Sequence, residues 1–224
     1  MIYRSVRYLD FMVDQLERYS EGLPWRIVAN DPTPEVVARL MVLGVPYSIY
    51  RDPEPNLYYL RRVYRCVNWY YKNSDAEALI EVQSDMAYSP GWADALITAW
   101  GENDIPVSRL VHPFTIPGGF NLERDFGSAG SFREAEWLKY AASVKSNNEM
   151  IGGLYCPRLM ERDWFLSTGG FPEGNVLDGG AISEGPNELA RSGDAVFFEQ
   201  SGKRHVTVCS SLVYHMQEGE MLDK

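Results

Sequence analysis

The stretch Glu81-Val82-Gln83-Ser84-Asp85-Met86, followed directly by Ala87-Tyr88-Ser89-Pro90-Gly91-Trp92, decides how the rest of the chain is interpreted. The apolar residues that lead into it predict a buried strand, and Ser89-Pro90 predicts a helix start by an N-cap and a first-turn proline. Asp85 would then lie at the carboxyl end of a strand, where open α/β sheets bind ligands. An aspartate beside a Ser-Pro turn can also simply accept hydrogen bonds from the loop backbone, and this alternative stays open.

Strand and helix signals alternate along the first half of the chain. Apolar residues at helical spacing predict a helix from Val6 to Tyr19, and Thr33-Pro34 supplies an N-cap and a first-turn proline for another. The other predicted elements are strands at Trp25 to Ala29, Val45 to Tyr50, Ala78 to Val82 and Val107 to His112, and helices from Tyr58 to Lys72 and from Ser89 to Trp100. This alternation predicts an α/β fold with a mostly parallel central sheet covered by helices.

The second half contains longer loops between its predicted elements. A capping box at Ser131 to Glu134 predicts a helix to about Lys145, and the segment from Gly174 to Gly193 is a loop that serves either as a lid or as a mobile connection. The remaining predictions are a strand at Gly152 to Pro157, a helix at Asp194 to Gln200, and extended pieces at His205 to Ser210 and Val213 to His215. We expect one domain over 1–224, with halves at about 1–112 and 113–215 and an acidic tail at 216–224.

Composition excludes several classes of protein. The 224 residues are 45% hydrophobic and 23% charged, which is ordinary for a globular domain. The net charge of -10 argues against a general nucleic-acid or anionic-membrane surface, although Arg61, Arg62 and Arg65 could line a local basic pocket. The three cysteines lack metal-type spacing and are expected to be buried free thiols. Without a membrane span or leader pattern, the chain is predicted to be cytoplasmic.

Three later motifs accompany Asp85: Gly169-Gly170-Phe171-Pro172-Glu173, Gly193-Asp194 and Tyr214-His215. Their glycines allow positive φ angles and a close approach of backbone to a ligand. In this order, on an alternating α/β chain, the motifs resemble the family 2 glycosyltransferases of the GT-A fold. The resemblance runs from about Arg4 to His215, and its most specific part is the segment around Asp85, which looks like the metal-binding DXD region of that family.

The resemblance implies a divalent metal, Mn²⁺ or Mg²⁺, bound by Asp85 and His215. Such an ion stabilises the charge that grows on a departing nucleoside diphosphate, and a histidine ligand favours manganese. His215 could instead hydrogen-bond a carbonyl in an extended segment. The resemblance makes Asp194 the general base for an acceptor hydroxyl in a single inverting displacement. The alternative for Asp194 is an N-cap of the helix that follows it.

The resemblance also implies the ligands and their contacts. A nucleotide-sugar donor, UDP- or GDP-linked, would transfer its sugar to a glycan or another hydroxyl acceptor, and assembly into a homo-oligomer is left open. The implied nucleotide-binding residues are Asn30, Asp31, Asn68 and Ser84. The implied sugar contacts are Gly169, Gly170, Phe171, Glu173 and Trp164. The rings of Trp164, Trp137 and Trp92 offer faces on which a sugar could stack, although tryptophans are more often buried in packing.

The chain departs from the family pattern at three places. Ala29 stands where an acidic residue contacts the base, and Gln83 replaces the first acid of DXD, so Asp85 is the only carboxylate of its motif. Only Met1-Ile2-Tyr3 precede the first helix, so the fold is expected to lack most of its first strand, leaving neighbouring strands without ladder partners. These departures favour an alternative, a catalytically degenerate GT-A domain that binds nucleotide or glycan or scaffolds an assembly. A dinucleotide-dependent enzyme is disfavoured because no strand precedes a G-x-G-x-x-G sequence.

Overall fold

A computed structural model describes residues 1–2, 5–20, 22–54, 56–187 and 189–216. The predicted acidic tail after Met216 lies outside the described residues. The helices are α1 (Val6–Tyr19), α2 (Pro34–Leu43), α3 (Tyr59–Asn73), α4 (Trp92–Ala99), α5 (Glu134–Val144), α6 (Arg162–Ser167) and α7 (Gly193–Gln200). The strands are β1 (Ile27–Asn30), β2 (Tyr47–Tyr50), β3 (Ala78–Glu81), β4 (Met86–Tyr88), β5 (Asp104–His112), β6 (Leu122–Glu123), β7 (Glu149–Ile151), β8 (Arg158–Glu161) and β9 (Arg204–His215).

The strands form two sheets. β1 and β2 pair in parallel, and the larger sheet has the order β3-β8-β5-β9-β4, with β6 on β5 and β7 on β9. Within the larger sheet β5 is parallel to β9 and β6, whereas the other pairs are antiparallel. The sheet is therefore mixed, and more of its pairs are antiparallel than the alternation of signals predicts.

Local sequence signals set several of the boundaries, and two of these predictions are wrong. The helix predicted at Val6 to Tyr19 is confirmed in full, and Thr33 caps α2 by accepting a hydrogen bond from the Val36 N–H at 3.4 Å. Helix α4 begins at Trp92, because the Ser89 N–H donates to the carbonyl of Leu212 in β9 and holds Ser89 at the sheet. Helix α5 has no side-chain cap, because the Ser131 hydroxyl accepts from the Ser128 N–H instead.

The C-terminal strands also differ from the prediction. β9 is one continuous strand where two extended pieces were expected, and its pairing with β5 shifts register between Ser108 and Arg109. The strand predicted at Gly152 to Pro157 is wrong, since Gly152 and Gly153 have φ angles of 96° and 112° that interrupt an extended backbone. β7 ends just before these glycines, and β8 starts directly after Pro157.

Met1 and Ile2 lie in the gap between β1 and β3. The Ile2 N–H donates to the Val28 carbonyl at 3.0 Å, and the terminal amine of Met1 donates to the Val82 carbonyl at 2.7 Å. The Asn30 N–H donates to the Ile2 carbonyl at 2.9 Å, so Ile2 forms a parallel bridge to Ala29 beside β1. The expected loss of ladder partners by neighbouring strands stays a prediction, because residues 3 and 4 lie outside the described ranges. A cavity of about 80 Å³ lies beside Met1.

Two apolar clusters hold the site in place. The larger cluster joins α1, β4 and β9, and the smaller one packs Phe165, Phe171 and Phe197 against α3. All three cysteines are free and buried, as predicted. Within the described ranges, no helix is both long and apolar enough to cross a membrane.

Candidate functional site

Asp85 and His215 lie in contact. Because β4 and β9 are antiparallel with Met86 opposite His215, the residue before β4 lies beside the end of β9. The Asp85 carboxylate Oδ2 is 3.2 Å from His215 Nε2, and the Met216 N–H donates to the Asp85 carbonyl at 3.0 Å. The fold thus brings together the two residues that the resemblance implies as metal ligands.

His112, which the sequence analysis did not single out, lies beside this pair. It is the last residue of β5, which runs parallel to β9, and its ring centroid is 5.2 Å from that of His215. The His112 side chain is fully buried, and burial, reinforced by nearby His215, lowers its pKa to about 4. Among the described residues, three ring nitrogens have no well-aligned hydrogen-bond partner. They are both nitrogens of His112 and Nδ1 of His215. The signal that could have found His112 is its place at the end of a predicted strand.

The donor set around Asp85 suits a divalent cation only in part. A carboxylate oxygen and an imidazole nitrogen are common metal ligands, and the orphaned nitrogens beside them are buried groups that a polar ligand would satisfy. No group of three or more His, Cys, Asp or Glu side chains in the described part of the chain is arranged to bind a metal. Two protein ligands therefore suit an ion whose other ligands are phosphate oxygens and water.

Asp194 lies in the first turn of α7, where its negative charge interacts favourably with the helix dipole. The N-cap is Ser192, so the alternative that Asp194 caps the helix is wrong. Its Oδ1 accepts hydrogen bonds from the Tyr64 hydroxyl at 3.2 Å and the Ala195 N–H at 2.9 Å. Oδ2 accepts none from the described residues, so hydrogen bonds fix one carboxylate oxygen and leave the other without a protein donor.

Gly193 allows this arrangement. A Cβ at position 193 would lie 2.5 Å from the Gly174 carbonyl oxygen and 3.1 Å from the Tyr64 ring. Any side chain there would push α7 away from α3 and from the turn that ends at Gly174. Glycine is therefore required at position 193 for the start of α7 to pack this closely against α3.

The Gly169-Gly170-Phe171 turn is fixed to α3 by Asn68. The Asn68 amide donates to the Phe171 carbonyl and accepts from the Phe171 N–H, both at 2.9 Å. Gly169 and Gly170 have φ angles of 90° and 80°, and a Cβ at Gly170 would lie 2.6 Å from Asn68 Oδ1. Asn68, implied as a nucleotide contact, therefore uses its amide to shape the turn.

Glu173, at the end of the same turn, pairs with arginines of α3. Its carboxylate is 2.9 Å from Arg65 Nε, and its carbonyl accepts from Arg61 Nε at 3.3 Å. Arg65 also pairs with Asp52 at 3.2 Å and Glu54 at 2.8 Å. Of the three arginines considered above as a basic pocket, Arg62 and Arg65 are paired with carboxylates of the chain. Glu173, implied as a sugar contact, pairs with Arg65 and keeps about half of its side chain exposed.

The other implied nucleotide residues lie at the ends of β1 and β3. Asp31 adopts a positive φ of 45°, accepts from the Asp52 N–H at 2.9 Å and pairs with Arg62 at 3.1 Å. Asn30 is buried, and its Oδ1 has no partner among the described residues. Ser84 is buried beside Asp85. Asn30 is therefore the last residue of β1 and Ser84 lies just before β4, whereas Asp31 is already paired within the chain.

The tryptophans divide into core and surface. Trp92 and Trp137 are buried and donate to the carbonyls of Tyr19 and Tyr88, so their expected role as sugar-stacking faces is wrong. Trp164 is half-buried on α6, with Lys203 Nζ 4.4 Å from its ring centroid. Of the three, Trp164 alone keeps a face that a sugar could reach.

Comparisons with known proteins place the fold. No protein-family model and no curated protein matches the sequence. The structure is similar to that of GalNAc-T7 with UDP, GalNAc and Mn²⁺, at 11% identity and a TM-score of 0.59 over 98% of this chain and 44% of that one. It is also similar to the Pyrobaculum calidifontis mannosyltransferase PcManGT with GDP-Man and Mn²⁺, at 10% identity and 0.57 over 98% and 57%.

A third similar structure is that of S. aureus TarS residues 1–349 with UDP-GlcNAc, at 11% identity and a TM-score of 0.53 over 100% of this chain and 60% of that one. This chain therefore spans 44 to 60% of the length of these three proteins. Similarity at such low identity establishes the fold alone, and the chain has the GT-A fold, as the motifs predicted.

Proposed function

We propose that this GT-A domain is a metal-dependent, inverting glycosyltransferase of the family 2 type. The observation that carries the proposal is the contact between Asp85 and His215, 3.2 Å apart at the end of β9, beside three ring nitrogens that have no well-aligned hydrogen bond among the described residues. A GT-A fold with a buried aspartate against a half-buried histidine at the edge of its sheet suits a nucleotide-sugar donor. The donor is UDP- or GDP-linked, in keeping with the ligands of the structures it resembles.

The nucleotide half, about residues 1–112, binds the donor through Asn30 and Ser84 and through Asp85. A Mn²⁺ or Mg²⁺ ion, when bound by Asp85 and His215, supplies Lewis-acid stabilisation for the departing diphosphate. The chain's own contribution is to hold this pair in a buried place, where charge interactions are stronger than in water.

The acceptor half, about residues 113–215, supplies the base. The acceptor hydroxyl of a glycan or other alcohol donates its proton to Asp194 Oδ2, and its oxygen attacks the anomeric carbon as the bond to the diphosphate breaks. Phe171 and the backbone of Gly169 and Gly170 lie under the sugar, with Trp164 as an outer face. The cytoplasmic location and the assembly into a homo-oligomer stay predictions.

A second candidate is a degenerate GT-A domain that binds a nucleotide or glycan without turnover. It is favoured by the pairing of Asp31, Asn68 and Glu173 within the chain, and by Gln83 in place of an acid. These contacts occupy groups that the resemblance assigns to ligands.

The release of nucleoside diphosphate from a panel of UDP- and GDP-sugars, with Mn²⁺ and hydroxyl acceptors, tests the proposal. Asp194→Asn keeps the shape of the side chain but removes the base, so we expect transfer to fall about 10²- to 10⁴-fold. Asp178→Asn, in an exposed part of the 174–193 loop, is the matched control and should transfer at the wild-type rate.

Equal rates in Asp194→Asn and the wild type would refute the assigned base. No turnover of any donor, together with a higher melting temperature in UDP or GDP with Mn²⁺, would support the degenerate domain, because a ligand that binds only the native state stabilises it.

A further inference from the structure

Tyr64 joins the nucleotide half to the start of α7. It lies on α3, is buried, and its ring packs 5.7 Å from that of Phe171. The same helix carries Asn68, which shapes the Gly-Gly-Phe turn, and Arg65, which pairs with Glu173. α3 therefore contacts both the Gly169–Glu173 turn and the Gly193-Asp194 motif, and Tyr64 is its contact with Asp194.

Two hydrogen bonds connect Tyr64 with Asp194. The Tyr64 hydroxyl donates to Asp194 Oδ1, and the same hydroxyl oxygen accepts from the Asp194 backbone N–H, each at 3.2 Å. Together they fix both the first turn of α7 and the orientation of the carboxylate. A phenylalanine would fill the same space but could make neither bond.

Burial keeps the Tyr64 hydroxyl in its protonated form. Burial and, second to it, the charge of Asp194 raise the pKa of Tyr64 well above its usual range. A hydroxyl that keeps its proton can donate to the carboxylate at every working pH. A hydrogen bond donated to a carboxylate favours the charged form of that group.

From this geometry we propose that Tyr64 is a positioning residue for Asp194, which fixes Oδ1 so that Oδ2 points to the acceptor and keeps the carboxylate ready to accept a proton. This inference rests on the proposed role of Asp194 as base. A purely structural role for Tyr64 would change stability but would not lower kcat at an unchanged KM.

The test is Tyr64→Phe with Tyr71→Phe as its matched control. Tyr71 lies two turns along α3, is fully buried, and its hydroxyl has no hydrogen-bond partner among the described residues. Both changes remove one buried hydroxyl from the same helix, but only Tyr64→Phe removes bonds to Asp194.

We expect Tyr64→Phe to lower kcat about 10-fold with KM within about 2-fold of the wild type, because a misaligned base slows the chemical step alone. Tyr71→Phe should leave kcat and KM unchanged. A kcat in Tyr64→Phe equal to that of the wild type would overturn the inference.

A second readout needs no substrate and separates this inference from the proposed function. The Asp194 N–H donates to the Tyr64 hydroxyl, so Tyr64→Phe should speed hydrogen exchange at that amide while Tyr71→Phe should not. If the wild type transfers no sugar, the proposed function fails, and faster exchange still supports the positioning role. Unchanged exchange in Tyr64→Phe would contradict it.

Discussion

In the proposed site, the Asp194 end and the Asp85 end differ in how their buried polar groups are satisfied. At the Asp194 end, Tyr64 and Asn68 each exchange hydrogen bonds in both directions with the segment they hold. At the Asp85 end, both ring nitrogens of His112 and one of His215 have no well-aligned hydrogen bond among the described residues. Buried polar groups are almost always paired, so these nitrogens are satisfied less well than the groups at the Asp194 end.

This difference separates the part of the site that the chain's own hydrogen bonds hold in place from the part that they do not. The Asp194 end is held by side chains of α3, and its stability should depend on them. Under the proposed function a bound ligand completes the Asp85 end, so His112 should contribute little to the stability of the free protein. The predictions below test this contrast, starting with the largest effect.

Asn68→Leu should destabilise the Asp194 end of the site. The change leaves the N–H and carbonyl of buried Phe171 without partners, which should lower the free energy of unfolding by about 3 kcal/mol. Asn73→Leu on the same helix is the control, because its amide donates to the Trp69 carbonyl at an exposed position and should cost about 0.5 kcal/mol or less.

Urea unfolding of both variants gives the two free energies. Equal losses in Asn68→Leu and Asn73→Leu would mean that the Gly-Gly-Phe turn does not depend on the Asn68 amide, and the contrast between the two ends would weaken.

His112→Leu, at the Asp85 end, should not lower the stability of the free protein. It replaces a buried imidazole without well-aligned partners by an apolar side chain of similar size, so the free protein should be unchanged or more stable by about 1 kcal/mol. His205→Leu is the control, because His205 Nε2 bonds the Leu154 carbonyl at 2.9 Å and its loss should destabilise by about 1 kcal/mol.

Thermal melts in the absence of metal and nucleotide compare the two histidine variants. A larger loss of stability in His112→Leu than in His205→Leu would show that His112 has a structural role at the Asp85 end.

Local signals predicted the fold where they did not compete with tertiary contacts. The apolar spacing of 6–19 and the cap at Thr33 need only neighbours in sequence, and both are confirmed. The Ser89-Pro90 signal failed because β9 binds the Ser89 N–H, and the Ser131 capping box failed because Ser128 competes for the hydroxyl. Such competition depends on residues far away in the sequence or on turn geometry.

The candidate site, like the fold, was predictable from the sequence only in part. Asp85 and His215 could be paired by resemblance, and their contact follows from the β4–β9 register. The hydrogen bonds of Asn68 with Phe171 could not be foreseen, since they join a helix to a turn 103 residues away. His112 lies beside His215 because of the parallel β5–β9 pairing, which the sequence does not specify locally.

One measurement tests the central claim, that a metal and a nucleoside diphosphate complete the Asp85 end. The chain has three histidines, so each ring can be followed as a separate NMR resonance while Mn²⁺ is added with UDP or GDP. His205 pairs with Ile105 of β5 and Tyr214 pairs with Val111, so His205 and His215 are separated by about 20 Å or more along the sheet.

Bound Mn²⁺ should broaden the resonances of His215 and its neighbour His112 and leave that of His205 sharper. In Asp85→Asn this difference between the histidines should disappear. Equal behaviour of all three histidines with both nucleotides, or the same broadening in Asp85→Asn, would contradict the account.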